Sequence, residues 1–153
     1  MSDPETIRTW QRLSPDITTS GRITADDVAS LAALGVRHVI NLALADHPEA
    51  LADEAALLAR HAIGYSHIPV PFDAPDDAHF AAFQSAIATA PRPVHVHCIL
   101  NWRVSAFFYR YHRDVMHMPE PEALALMERH WSPQTSPHAD APAWARFIAG
   151  EKT

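Results

Sequence analysis

The sequence predicts an α/β domain: a central, mostly parallel sheet flanked by helices. Short Val- and Ile-rich runs alternate with segments of helical period, the trace left by parallel strands joined through crossover helices. Gly and Pro punctuate the boundaries, and Pro is frequent, at 13 in 153 residues. With 48% hydrophobic residues, a chain of this length builds one real core, whereas two domains would each be too small to be comfortable. Residues 1–153 are therefore expected to form a single domain.

The first clear element opens at Thr24, where TADD puts an N-cap hydroxyl three residues before an acid. Val28, Leu31, Ala32 and Leu34 then recur at helical spacing up to Gly35, a natural residue after a helix end. VRHVINL, from Val36 to Leu42, reads as a buried strand. A second helix is expected from about Pro48 to His61, with Leu51, Ala55, Leu58 and Ala62 on one face and Gly64 ending it. Tyr65 to Val70 is the next strand, closed by Pro69 and Pro71. The loop PFDAPDDAHF leads into a helix near 75–90, whose apolar stripe is Phe80, Phe83 and Ile87. VHVHC forms a third strand, with Val94 and Val96 on one face and His95 and His97 on the other. Helical patterns follow from Arg103 to about Met116, from Pro119 to His130 and from Ala141 to Ala149, the last two separated by WSPQTSPHAD.

Composition narrows the classes of function. A net charge of −6 without any basic run speaks against nucleic-acid binding, which depends on clustered Lys and Arg. No run of about 18 apolar residues is present, so no membrane-spanning helix is expected. The N-terminus MSDPETIRTW is polar and acidic, unlike a signal peptide. A single cysteine forms no internal disulfide, and a cytoplasmic protein is the expectation. Eleven histidines raise the question of a metal, but they are scattered, and no set of three or four has zinc-ligand spacing. Neither metal nor cofactor is expected.

The chemistry concentrates where VHVHC meets the next helix. In parallel sheets ligands bind beyond the carboxyl ends of strands, and Cys98-Ile99-Leu100-Asn101-Trp102-Arg103 lies in that place. Backbone N–H groups of a strand-to-helix turn point inward, and the helix N-terminus adds positive potential. A thiol placed there loses its proton more easily, and an arginine fork grips two anion oxygens at once. A buried inert cysteine is the bland alternative. Cys98 and Arg103 are thus the candidate nucleophile and anion clamp, and Ile99, Leu100, Asn101 and Trp102 are the candidate substrate-binding residues between them.

VHVHCILNWRVSAFFYRYH resembles the active-site segment of the bacterial protein tyrosine phosphatase-like family related to dual-specificity phosphatases. SGRITADDVASLAALGVRHVINLAL resembles the family's opening, HIPVPFDAP its loop before the catalytic strand, and Trp131, Pro133, Trp144, Phe147 and Ile148 its C-terminal end. The resemblance implies a cysteine-phosphatase-like fold and a phosphorylated substrate. It implies Cys98 as nucleophile, Arg103 as clamp, and His97 as the residue that orients the loop and tunes the thiol. A general acid is also needed, normally an Asp on a neighbouring loop; Asp73 is the candidate, since Asp76 and Asp77 stand where a helix N-terminus favours acids.

The sequence departs from that family at the loop. Tyrosine and dual-specificity phosphatases carry five residues between Cys and Arg, usually with Gly, and Ser or Thr after the Arg. Here four intervene, no Gly is present and Val104 follows, with Ser105 one position late as the candidate supporting hydroxyl. Asn101 is expected to take the left-handed conformation in place of glycine. The shorter loop has the length used, by similarity, in rhodanese-type sulfurtransferases. A cysteine-dependent phosphatase, a sulfurtransferase with a Cys98 persulfide, and a non-catalytic oxyanion-binding module are the three readings, in that order.

Overall fold

The computed structural model describes residues 2–150. Strands β1 (Gln11–Ser14) and β2 (Ile17–Ser20) form a hairpin, followed by α1 (Ala25–Leu34), β3 (His38–Asn41) and α2 (Glu54–Ala59). Then come β4 (Gly64–His67), α3 (Asp77–Thr89), β5 (Val94–His97), α4 (Trp102–Arg110), α5 (Glu120–Glu128) and α6 (Ala141–Ala149). The five-stranded sheet has the order β1-β2-β5-β3-β4; only β1 is antiparallel to its neighbour. This is the α/β architecture expected from the sequence, with β5 at the centre.

Residues adjacent along a strand face opposite sides of the sheet, and two apolar cores result. Val39 packs with Ile7, Val28, Leu31, Leu58 and Ile63 under α1 and α2. Ile40, Val94 and Val96 pack with Phe80, Phe83 and Ile87 of α3 and with Phe107, Met127, Trp144 and Phe147 of α4–α6. The chain begins α1 as expected: Thr24 and Asp27 exchange side chain-to-backbone hydrogen bonds, and Gly35 ends the helix at φ 95°. Asp76 caps α3 in the same manner through His79.

Three expectations are corrected. The hairpin at residues 11–20 precedes the first predicted element; its signal, ITTS after the turn-forming SPD, is short and polar. The second helix is six residues long rather than running from Pro48, because Asp53 takes the left-handed conformation (φ 57°) and residues before it form turns. The helix expected to end near Met116 finishes as a π-helical turn, Tyr111–Val115. None of the described helices is long and apolar enough to cross a membrane.

Candidate active site

Cys98 is the first residue beyond β5, and both neighbouring strands hold it. Leu42 N–H donates to the His97 carbonyl at 2.9 Å, Cys98 N–H to Ser20 O at 3.4 Å, and Arg22 N–H to Ile99 O at 2.9 Å. The loop therefore inherits its position from the middle of the sheet. It lies so close to Gly21 that a β-carbon there would overlap the Ile99 carbonyl oxygen and crowd Thr9 Oγ1 at 2.8 Å. Only glycine leaves room for this crossing.

Asn101 turns the chain into α4 at φ 67°, the left-handed conformation expected of it. Its side chain is fully buried and points away from the loop's open side. Nδ2 donates to Thr9 O at 2.9 Å and to Thr19 Oγ1 at 3.1 Å. Asn101 thus does two jobs that glycine could not combine: it accepts the backbone geometry and fastens the loop to β2. α4 then starts at Trp102, with its N-terminus at the loop.

A cavity of about 380 Å³ opens over the loop, lined by Cys98, Ile99, Leu100, Trp102 and Arg103 together with Leu44, His47, Phe72, His138 and Asp140. Cys98 is only 1% exposed and Arg103 7%, so both lie deep. Arg103 Nη1 donates to Val70 O at 3.0 Å, and its guanidinium stands 5.8 Å from the Phe72 ring centre. Among the described residues no carboxylate forms a salt bridge with Arg103. A buried, positioned guanidinium with no carboxylate salt bridge among the described residues has donors that an anion can use. Trp102 stacks on Trp131 at 4.8 Å, 4° from parallel, and the Trp131 indole N–H donates to the Trp102 carbonyl at 3.0 Å. One wall of the cavity is thus rigid and aromatic.

Beneath the loop, His97 and Glu54 form a buried pair with Nε2 2.7 Å from Oε2; the side chains are 4% and 5% exposed. The other ring nitrogen, Nδ1, faces the Cys98 carbonyl oxygen at 3.1 Å. A carbonyl and a carboxylate only accept, so both imidazole nitrogens carry hydrogen unless Glu54 itself is protonated. Asn41 Nδ2 donates to Glu54 Oε1 at 3.4 Å and to the Tyr65 hydroxyl oxygen at 3.1 Å. Burial, and then the charge of Glu54, push the Tyr65 hydroxyl up to about 12.

His95, on the same face, is a different histidine. Its ring lies between Thr18 Oγ1 and Ser20 Oγ, each 2.8 Å from a ring nitrogen, and stacks on Trp10. Burial, and then the neighbouring His97, hold it well below the ordinary imidazole range. Since the Ser20 hydroxyl donates to Gly21 O at 2.8 Å, it accepts from His95, which is neutral and structural.

Cys98, Ile99, Leu100, Trp102 and Arg103 therefore meet at one cavity, with His97 behind them. Three sequence candidates stand elsewhere. Asn101 is an anchor, buried away from the cavity. Ser105 sits one helical step further and its hydroxyl donates back to the Trp102 carbonyl at 3.1 Å. Asp73 is exposed on a turn and does not line the cavity, because Phe72 takes the inward place against Trp102, Trp131 and Trp144. The sequence reading missed Glu54, which looks like any acid on an amphipathic helix. It also missed His47, His138 and Asp140, whose only sequence signal is their place in loops. Among the described residues no cluster of His, Cys, Asp and Glu is built to hold a metal.

Residues 9–109 match the family model described as beta-lactamase hydrolase-like protein, phosphatase-like domain. No curated protein sequence matches significantly. Among solved structures, a candidate phosphatase from Shewanella putrefaciens CN-32 is 26% identical with a TM-score of 0.79, covering 99% of this chain and 98% of that one. A Cys-to-Ser variant of TpbA from P. aeruginosa, in complex with phosphotyrosine, is 22% identical with a TM-score of 0.67, covering 99% and 88%. The core catalytic domain of a PP-IP phosphatase from S. cerevisiae, in complex with citrate, is 14% identical with a TM-score of 0.73, covering 95% and 88%. The last two share the fold.

Proposed function

The chain belongs to the phosphatase-like domain family of beta-lactamase hydrolase-like proteins, and from that premise we propose that it hydrolyses phosphoric monoesters through a covalent intermediate on Cys98. The observation that carries this reading is the pairing, in the lining of one cavity, of a buried thiol with a guanidinium that forms no salt bridge with a carboxylate among the described residues. The Cys98 thiolate attacks phosphorus, forming an S–P bond as the bond to the leaving oxygen breaks. Arg103 and the first N–H groups of α4 hold the oxygens that gather charge in the transition state. Water then attacks the cysteinyl phosphate, releasing inorganic phosphate and restoring the thiolate. The aromatic wall of Phe72 and Trp102 favours a flat leaving group such as an aryl ring.

The test is hydrolysis of a panel of aryl phosphates by the purified protein. The wild type turns them over, Cys98→Ser abolishes turnover, and Arg103→Lys, which keeps the charge but loses the fork, lowers kcat/KM by roughly a hundredfold or more. An inert wild type across the panel refutes the reading.

One observation favours a second reading: the six-residue loop from Cys98 to Arg103 has the length expected of a sulfur carrier. Incubation with thiosulfate followed by intact-mass measurement then shows one added sulfur on Cys98. An unchanged mass removes this alternative.

A further inference from the structure

We propose that Asp140, at the start of α6, is the general acid of this site, in place of an acid on the loop after β4. The assignment rests on the phosphatase reading above and adds to it the residue that protonates the leaving oxygen.

The loop after β4 cannot present Asp73 because its inward place is already filled. Phe72 packs against Trp102, Trp131 and Trp144 at ring distances of 6.1, 5.8 and 5.4 Å, and Asp73, next in the chain, is turned to solvent. α6 is fastened to the same spot, since the Trp144 indole N–H donates to Phe72 O at 2.6 Å. The first turn of α6 therefore borders the cavity, and Asp140 lines it. Its carboxylate occupies the N-cap position of α6 yet makes no capping hydrogen bond. It forms no side-chain hydrogen bond with any described residue, its Oδ2 lies 3.9 Å from His138 Nδ1, and it is half-buried in a cavity walled largely by Leu44, Phe72, Ile99, Leu100 and Trp102. Cys98, Arg103, His47 and His138 are the other titratable groups lining that space. Asp140 is the only carboxyl group among its lining residues.

His138 completes the arrangement without competing for the role. Its Nδ1 accepts the Asp140 backbone N–H at 3.0 Å, which requires Nδ1 to be unprotonated, and its ring stands edge-on to Phe72 at 4.9 Å. The imidazole thereby holds the α6 start in place.

As Cys98 attacks, the Asp140 carboxyl gives its proton to the oxygen leaving phosphorus and becomes a carboxylate. That carboxylate then takes a proton from the water that cleaves the S–P bond, and the starting state returns.

The test compares Asp140→Asn, Asp73→Asn and His138→Gln on two substrates, phenyl phosphate, whose leaving oxygen needs a proton, and a nitrophenyl phosphate, whose leaving oxygen does not. Asp140→Asn lowers kcat on phenyl phosphate by roughly a hundredfold or more and on the nitrophenyl ester far less. Its pH–rate profile on phenyl phosphate also loses the limb that falls at high pH, while thermal melting stays near that of the wild type. Asp73→Asn keeps wild-type kinetics and His138→Gln keeps the limb. A loss selective for phenyl phosphate in Asp73→Asn or His138→Gln instead of Asp140→Asn overturns the assignment and leaves the phosphatase reading standing. Retention of wild-type kinetics by all three does the same. A wild type inert toward both esters overturns the phosphatase reading, and the assignment with it.

Discussion

Glu54→Ala removes the carboxylate beside the Cys98 loop and leaves His97 facing an empty acceptor position. The pair is short, at 2.7 Å, and almost fully dry, at 4% and 5% exposure. Such pairs cost about 3–5 kcal/mol when one partner is deleted, because the other stays buried without compensation. Set against a total stability of about 5–15 kcal/mol for a domain, that is a large fraction, and the urea midpoint should fall accordingly. Glu54→Gln keeps an acceptor for His97 Nε2–H but loses the charge, so about 1.5–3 kcal/mol is expected, the range of a hydrogen bond to a charged group. Because His97 Nδ1 also bonds the Cys98 carbonyl at 3.1 Å, the effect reaches the thiol: Glu54→Gln should alkylate more slowly with iodoacetamide. A double-mutant cycle with His97→Gln isolates the pair. Coupling near zero, or a Glu54→Ala cost under about 1 kcal/mol, the level of an ordinary surface change, refutes the argument that this pair supports the loop.

Other perturbations follow from the same geometry. Gly21→Ala forces a β-carbon against the Ile99 carbonyl, so it should depress turnover through displacement of the loop; wild-type kcat/KM in a well-folded variant contradicts the packing argument. Asn101→Ala leaves Thr9 O and Thr19 Oγ1 without their donor and puts Ala at φ 67°, at a cost of roughly 2–4 kcal/mol read from denaturant unfolding. Acid should unfold the protein early. Burial holds His38, His95, His112 and His130 below the ordinary imidazole range, His130 down to about 4. The unfolded chain then binds protons that the native state refuses, so stability is whole above the unfolded value near 6.5 and falls as pH drops toward 4. The His130 share is on the order of 2 kcal/mol after discounting its solvent contact. Urea midpoints at pH 7, 5 and 4 measure the decline, and His130→Gln should blunt it; a flat profile contradicts it.

Much of the fold is legible in the sequence because the signals are local. The Thr24–Asp27 capping pair, the Phe80–Phe83–Ile87 stripe and the VHVHC strand each declare themselves within a few residues, and each element is present. The β1–β2 hairpin escaped because its strands are four residues long and mostly polar. β2 is buried between β1 and β5, a placement that no local pattern records. The same distinction runs through the site. Cys98 and Arg103 stand five positions apart where a strand passes into a helix, so their spacing together with that local context marks them as candidates. Glu54 reaches His97 across 43 positions, and Asp140 reaches the cavity only because α6 docks on Phe72 through Trp144. Asp73 was a sound expectation from its place after a strand, but sequence position cannot say that Phe72 claims the inward side.

The central claim, that Cys98 carries the phosphoryl group, is tested most directly by acid quench of a single turnover with an aryl phosphate. Digestion and mass spectrometry of the quenched protein should find one added phosphoryl group on the peptide containing Cys98. It should accumulate further in Asp140→Asn given the nitrophenyl ester, where loss of the base slows attack by water, and be absent in Cys98→Ser. Turnover that proceeds without any adduct on Cys98, or that survives in Cys98→Ser, contradicts the account.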